Sequence, residues 1–225
     1  MSDADDIVSF DELPAVLSVF PLPGALLLPR GKLPLNIFEP RYLAMIRDAM
    51  ANSQMIGMIQ PRGIAEEDSD PIPDDAALYG TGCVGRITAF EESEDGRYTI
   101  TLTGLCRFDV AREIEGRAGY RRVQADYTAY EADLTPADNR VPGRDRLLGA
   151  LRAYFEREGV AADWTAVTSS GDEPLVTALS MICPFGPEEK QALLEAPTIG
   201  RRTELLAALI EMASLAQNDG NAARH

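Results

Sequence analysis

Histidine and lysine are scarce in this sequence. The single histidine is the last residue, His225, and the two lysines are Lys32 and Lys190. Mechanisms that need a positioned imidazole as base, proton shuttle or metal ligand are therefore disfavoured. A Ser–Lys pair would have only these two bases, and neither lysine belongs to a recognisable nucleophile motif. The sequence predicts no catalytic residue, no metal site and no cofactor.

Cysteines are few and long apolar runs are missing. Cys83, Cys106 and Cys183 are odd in number and widely spaced, which predicts buried thiols rather than a disulfide framework or a zinc site. The longest apolar stretch, residues 15–29, is interrupted by prolines and is too short to span a bilayer. Residues 1–12 carry five acids and no basic residue, unlike a secretory signal. The sequence therefore predicts a cytoplasmic protein.

Positive charge is also in short supply. The chain has 21 Lys and Arg against 36 Asp and Glu, a formal net charge of −15. Such a charge repels nucleic-acid phosphates and anionic lipids, so both are disfavoured as partners. The glycine cluster at residues 80–85 has neither the spacing nor the following helix of a phosphate-binding loop. A hydrophobic content of 45% is nevertheless ordinary for a folded globular chain.

Two different patterns divide the chain. Short β-branched runs between glycines and prolines dominate the first 130 residues, whereas Ala/Leu-rich helical spacing begins at Arg144. The predicted organisation is an acidic N-terminal tail (1–12), a β-barrel domain (13–130), a linker (131–143), a helical bundle (144–216) and a disordered tail (217–225).

Seven short strands are predicted in the first part, which favours a barrel. They are residues 16–20, 33–38, 55–60, 82–91, 98–103, 108–114 and 120–127. Asp95 and Gly96 join two of them, and this pair predicts a type I′ hairpin turn. After the turn, Thr99, Thr101 and Thr103 alternate with apolar residues, which predicts one wet and one packed face.

Helices interrupt and follow these strands. Pro40 is suited to the first helical position, and Leu43, Ile46 and Met50 then share one face. The connection at residues 62–77 carries six acids and predicts a mobile surface loop. In the second part, apolar stripes predict four helices and hence a bundle. The stripes lie at residues 147–155, 175–182, 187–195 and 203–215.

Several segments together resemble a known family. They are FPLPGALLLP (20–29), LPLNIFEPRYLAMI (33–46), GTGCVGRITAF (80–90), TLTGLCRFDV (101–110) and PEEKQALLEA (187–196). These segments resemble the N-terminal, substrate-binding domain of Lon protease, in the variant found in short stand-alone bacterial proteins. The similarity spans most of residues 13–215.

The resemblance implies an α+β fold: a PUA-like pseudo-β-barrel with one inserted helix, followed by a C-terminal helical bundle. It implies none of the ATPase or Ser–Lys peptidase modules of the protease, so we expect a non-catalytic protein. The implied partner is unfolded or extended polypeptide, and a separate Lon protease is a further candidate. No oligomeric state is predicted.

The resemblance also suggests where polypeptide would bind. The site would be a groove between barrel and bundle, or an exposed barrel edge. Its candidate residues are Phe38, Glu39, Arg41, Tyr42, Arg86 and Arg107. Phe38 and Tyr42 could instead pack the helix on the barrel, with Glu39 and Arg41 as an ion pair. Structural roles are expected for Pro40, which starts the helix, and for Gly82, Gly85 and Gly104.

Two alternatives stay open. PUA-like barrels often bind RNA, which would require the arginines of the later strands, but nearby acids dilute their charge. They are Arg107, Arg112, Arg117, Arg121 and Arg122. An unrecognised hydrolase would have to work with carboxylates or with Lys32 or Lys190.

Overall fold

The computed structural model describes residues 8–64, 72–136, 141–159 and 161–222. The chain divides into two compact units, Met1–Pro136 and Ala137–His225. Within the described residues, the first unit contains one long helix, α1 (Pro40–Met50), and six strands. The strands are β1 (Val16–Pro21), β2 (Lys32–Ile37), β3 (Met55–Ile59), β4 (Thr81–Glu92), β5 (Tyr98–Arg117) and β6 (Tyr120–Asp126). The predicted α+β class is confirmed.

The strands form a pseudo-barrel. Their order is β2-β5-β4-β3-β1-β6, and β5 also pairs with β6, which closes a ring of five strands. β1 and β3 run parallel, and the other pairs are antiparallel. Leu17, Val19, Phe108 and Val123 lie in the core with at most 1% exposure. Closure removes the free edges of the ring strands. β2 lies outside the ring, on the first half of β5.

The prediction of two strands at residues 98–103 and 108–114 is wrong, because β5 is continuous. Gly104 does not interrupt the strand, because the ladder runs on through Gly85↔Gly104, Val84↔Cys106 and Cys83↔Arg107. A register shift between Val84 and Gly85 marks a bulge. A bulge bends a strand without ending it, and this bend allows β5 to pair with β2 along its first half and with β6 along its second half.

The hairpin between β4 and β5 is present, but its turn differs from the predicted type I′. Gly96 has a φ of 79°, whereas Asp95 is not among the residues with positive φ. Gly96 N donates to Ser93 O, and Ser93 N donates to Arg97 O, both at 2.9 Å. This is a three-residue turn with glycine at the bulge position, which needs only one left-handed residue.

Helix α1 begins as predicted, with Glu39 in extended conformation and Pro40 at the first helical position. Its buried face consists of Tyr42, Met45, Ile46 and Ala49. The predicted stripe shares only Ile46 with this face. α1 packs on β1, β3 and β6 at once. A helix that contacts three strands buries a face that is broader than the one indicated by apolar spacing alone and is rotated from it.

The ends of the acidic connection are held to the barrel. Arg62 N donates to Ala77 O at 2.7 Å, and Tyr79 N donates to Gln60 O at 3.0 Å. Ile72 is buried. The central part of the predicted mobile loop, residues 65–71, lies outside the described residues.

Two of the predicted boundary segments belong to the barrel unit. In the predicted tail, Val8 is buried in the core and Phe10–Glu12 forms a 3-10 turn. In the predicted linker, Leu134 packs against the same core at the end of the 3-10 segment Thr128–Leu134. Both predictions are corrected here. They followed the polar composition of the two segments, in which single apolar residues that reach the core were overlooked.

Within the described residues the second unit is helical, with one helix more than predicted. Its helices are α2 (Arg144–Glu158), α3 (Trp164–Ser169), α4 (Asp172–Ile182), α5 (Pro187–Glu195) and α6 (Ile199–Ala222). α2, α4 and α5 each contact α6. The short α3 has no apolar period, but Asp163 caps it by accepting from Thr165 N and Ala166 N at 3.0 and 3.1 Å.

Helix boundaries and faces differ from the prediction in two places. α6 continues to Ala222, so the predicted disordered tail begins inside a helix. On α4 the predicted residues Ala178 and Ile182 are exposed, whereas Val176 and Ser180 are buried. In the described part of the chain, no helix combines the length and the hydropathy needed to cross a membrane.

Candidate functional site

The structure describes a partner strand on only one side of β2. Among the described residues it pairs with β5 alone, in the register Lys32↔Thr103 to Ile37↔Tyr98. Gly104 N donates to Gly31 O at 2.8 Å. The backbone groups of alternate residues point to the same side of a strand in an antiparallel ladder. Those of Leu33, Leu35 and Ile37 therefore also point toward β5. The backbone groups of Lys32, Pro34 and Asn36 therefore point away from β5, along what we call the open edge.

Pro34 is consistent with this direction. Proline cannot donate to a ladder and occurs on edge strands with its nitrogen facing outward. A proline on an edge also limits uncontrolled pairing between chains. The open edge therefore offers backbone N–H donors at Lys32 and Asn36 and one interruption between them.

A shallow groove of about 470 Å³ lies at the end of this edge. We call it the edge groove, and its lining residues are Asn36, Phe38, Ser93, Asp95, Arg97, Tyr98 and Thr99. Phe38 is 53% exposed. On β4, the next strand beyond β5, Phe90 is 41% exposed, and its ring centre lies 4.9 Å from that of Tyr98. Exposed aromatic side chains beside a free backbone edge can bind an extended chain.

The hairpin beside the groove is acidic. Glu91, Glu92 and Glu94 are exposed and form no ion pair within the described residues. Asp95 binds Arg97 at 3.0 Å. A hydrogen bond from the Ser93 hydroxyl lowers the pKa of Asp95, so this carboxylate stays ionised in neutral solution.

Of the predicted site residues, only Phe38 lies at the edge groove. Arg41 binds Glu39 at 3.0 Å, contacts Asp74, and donates to Ile72 O at 3.3 Å. The Glu39–Arg41 ion pair, one of the two interpretations of these residues, is thus present. Its contacts hold the end of the 62–77 connection to α1.

Arg107 forms a separate, buried cluster. It is 5% exposed, and its backbone N, Nε and Nη2 donate to the Asp133 carboxylate at 3.0, 2.8 and 2.8 Å. Its guanidinium lies 4.7 Å from the centre of the Tyr130 ring. Arg86 is half-buried on β4, opposite Met55 and Thr103. The prediction that these six residues line one groove is corrected accordingly, because Arg107 is buried against the 3-10 segment.

Tyr42 is part of the core rather than of an open surface. It is 3% exposed, and its ring centre lies 4.2 Å from that of Phe20. Burial raises the pKa of Tyr42 to about 12, so the hydroxyl stays protonated. The alternative interpretation, packing of helix on barrel, describes this position.

Tyr42→Ala should lower the free energy of unfolding by about 3 to 5 kcal/mol, because truncating a buried aromatic leaves a cavity. Arg41→Ala is the neighbouring control and should cost about 1 kcal/mol, since its ion partners Glu39 and Asp74 reach solvent. Urea denaturation of both variants measures the difference. Equal midpoints for Tyr42→Ala and the parent would contradict the assignment of this residue to the core.

The predicted site missed Asn36 and Tyr98, which line the edge groove. A sequence signal for Tyr98 existed, because it follows the Asp95-Gly96 turn by two residues and the hairpin was predicted. The signal for the side on which Asn36 lies was Pro34, two residues earlier, because a proline within a strand indicates an unpaired edge.

The arginines considered for RNA bind groups of their own unit. The contacts are Arg121 with Glu113 at 2.6 Å, Arg117 with Asp48 at 3.2 Å, Arg112 with Gln124 at 2.9 Å, Arg122 with Glu115 O at 2.8 Å, and Arg107 with Asp133. A nucleic-acid surface needs a basic patch. Acids neutralise three of these five arginines, Arg107, Arg117 and Arg121, which disfavours the RNA hypothesis.

The cysteine and lysine side chains give little support to the hydrolase hypothesis. Burial raises the pKa of Cys106 to about 12 and that of Cys183 to about 11, and the thiolate is the reactive form. Lys190 is buried in α5, whereas Lys32 is exposed on β2. Among the described residues, no group of three or more His, Cys, Asp and Glu is placed to hold a metal ion.

Solved structures share this arrangement of pseudo-barrel and helices. A Lon N-terminal domain protein from Xanthomonas campestris superimposes with a TM-score of 0.60 at 23% identity, covering 87% of this chain and 98% of that one. The N-terminal domain of the Lon protease of the Mycobacterium avium complex gives 0.59 at 14% identity, with 87% and 97% covered. These likenesses establish the fold as that of Lon N-terminal domains.

The sequence comparison identifies the family. The profile described as the ATP-dependent protease La (LON) substrate-binding domain matches residues 16–212. The chain therefore belongs to this family.

Full-length Lon proteases are among the similar proteins. Lon protease 2 of Myxococcus xanthus is 27% identical over 208 residues, which are 91% of this chain and 24% of that protein. Lon protease of Anaeromyxobacter dehalogenans is 32% identical over 109 residues, 48% of this chain and 12% of that protein. The chain thus spans a quarter or less of these two relatives.

Proposed function

We propose that this protein is a non-catalytic module that binds extended or unfolded polypeptide, and that it does so by adding a strand of the client to the open edge of β2. The observation that carries the proposal is the edge itself: β2 pairs on one side only within the described residues, with exposed Phe38 at its end. Main-chain hydrogen bonds are available to any sequence, which suits recognition of many unfolded clients.

Membership of the substrate-binding family supports this proposal. The matches to Lon proteases lie in the substrate-binding domain, and the ATPase and peptidase activities of those proteins are not part of the proposal. A separate Lon protease is the proposed recipient of the bound polypeptide. The cytoplasmic location stays a prediction from the sequence.

Asn36→Pro tests the edge directly. Proline would remove an N–H that points to the open edge and leave the β2–β5 hydrogen bonds in place. Binding of a fluorescently labelled, permanently unfolded protein should weaken about fivefold, the value of one net hydrogen bond. Fluorescence anisotropy with the full chain measures this change.

Asn36→Val is the matched control, because it removes the same side chain and keeps the N–H. It should bind more tightly than Asn36→Pro, and the difference between the two variants measures the contribution of the N–H. Phe38→Ala, at an exposed position, should weaken binding without a change in melting temperature. If the parent itself fails to bind at high micromolar concentration, the proposed function is wrong. If both Asn36→Pro and Phe38→Ala bind normally, binding does not occur at this edge.

A further inference from the structure

We propose that the edge groove binds a lysine or arginine side chain of the client, so that the protein selects extended segments carrying a basic residue next to the part that pairs with β2. This inference rests on the proposed function and specifies its substrate class. It follows from three features of the groove: an apolar wall, a carboxylate beside it that forms no ion pair within the described residues, and a position at the end of the open edge.

The apolar wall is the Phe38 ring. It lines the groove and is 53% exposed. The methylene stems of lysine and arginine pack on such surfaces while their charged heads reach water or an acid. A cation close to an aromatic face is also attracted by the ring itself. An aromatic wall can therefore bind the side chains of lysine and arginine, as it can bind a purely apolar side chain.

The carboxylate is Glu91. It stands directly opposite Thr99 on β5, and Thr99 stands directly opposite Asn36 on β2. Residues opposite each other share one face of the sheet, so Glu91 lies next to the groove lined by Thr99 and Asn36. The hydrogen bond from Thr99 Oγ1 to Asn36 Oδ1, at 3.3 Å, shows that these side chains meet on that face.

The charge balance around the groove favours a cation. Arg97 binds Asp95 at 3.0 Å, so this pair is neutral. Glu91, Glu92 and Glu94 carry no ion partner within the described residues, and all three are exposed. A basic client residue would meet uncompensated negative charge here, whereas an acidic one would be repelled.

The position of the groove sets the register. Asn36 belongs both to the open edge and to the groove lining. A client strand that accepts from the Asn36 N–H therefore places a neighbouring side chain at the groove. Backbone pairing would supply general affinity, and the groove would discriminate among segments.

Three extended peptides that differ at one position test the inference. They carry Lys, Gln or Glu in an otherwise identical apolar segment, and anisotropy titrations with the full chain give their affinities. The Lys peptide should bind about fivefold more tightly than the Gln peptide, the upper range for one solvent-exposed ion pair. The Glu peptide should bind more weakly than both.

Glu91→Gln should abolish the preference for Lys over Gln, whereas Glu188→Gln, at an exposed position on α5, should preserve it. Both variants change the net charge equally. A Lys preference that survives Glu91→Gln would overturn the inference, because it would then reflect the overall charge of −15. Equal binding of Lys and Gln peptides by the parent would also overturn it and leave the proposed function standing. If no peptide and no unfolded protein binds, the proposed function itself fails.

Discussion

Gly104→Ala is expected to lower the free energy of unfolding by about 3 kcal/mol or more, and can prevent folding altogether. A Cβ at this position would lie 2.1 Å from Leu28 O and 2.8 Å from Leu28 C. Both are backbone atoms, so no change of rotamer can relieve the clash. Two hydrogen bonds also hold these backbones together, Arg30 N to Gly104 O at 2.7 Å and Gly104 N to Gly31 O at 2.8 Å.

Gly80→Ala is the matched control for this experiment. It lies in the same unit, has no positive φ, and a Cβ there would meet nothing within 4 Å. Its cost should stay within about 0.5 kcal/mol, as for other exposed positions. Urea denaturation and expression in soluble form measure both variants. A Gly104→Ala protein with the midpoint of the parent would mean that the crossing of β5 and Leu28 is looser than described.

Asp133→Ala should cost about 3 to 5 kcal/mol, because it leaves the buried Arg107 guanidinium without its counter-charge. Burial alone would lower the pKa of Arg107, but the hydrogen bonds and the charge of Asp133 raise it above its ordinary value. Arg107 therefore stays charged, and its charge needs the carboxylate. Thermal and urea denaturation of the variant measure the loss.

The double variant Arg107→Met with Asp133→Leu separates lost charge balance from lost packing. Replacing both partners by apolar residues removes the unpaired charge, so most of the stability should return. A double-mutant cycle with the single variants Arg107→Met and Asp133→Leu gives the coupling energy between the two residues. If the double variant is as unstable as Asp133→Ala, the pair acts through shape rather than charge.

The local elements with strong signals were predictable. Pro40 fixed the start of α1, because a proline at the first helical position loses no hydrogen bond. Gly159, at a φ of 66°, ends α2, and a glycine shortly after an apolar stripe is a common signal for a helix end. The alternating threonines of β5 indicated one exposed face. Ile100 and Leu102 between them are fully buried and Thr99 is exposed, but Thr103 is buried as well, so the prediction is wrong for that residue.

The candidate site was predictable only in part. Phe38 was identified, but Arg107 and Tyr42 were grouped with it because a sequence does not report burial. Arg107 became buried through Asp133, a residue 26 positions away that was placed in a linker. The open edge was not predicted either, although Pro34 signals it, because a proline within a strand indicates an edge with its nitrogen facing outward.

The sequence by itself determined the class of the protein: a β-rich part, a helical part, a strongly acidic surface and the family to which the chain belongs. These properties depend on composition, on short periods and on motifs, which are local. Only the tertiary structure decided the register of β5, the face that α1 buries and the strand that keeps an open edge. These depend on contacts between residues far apart in the chain, whose energies no local pattern contains.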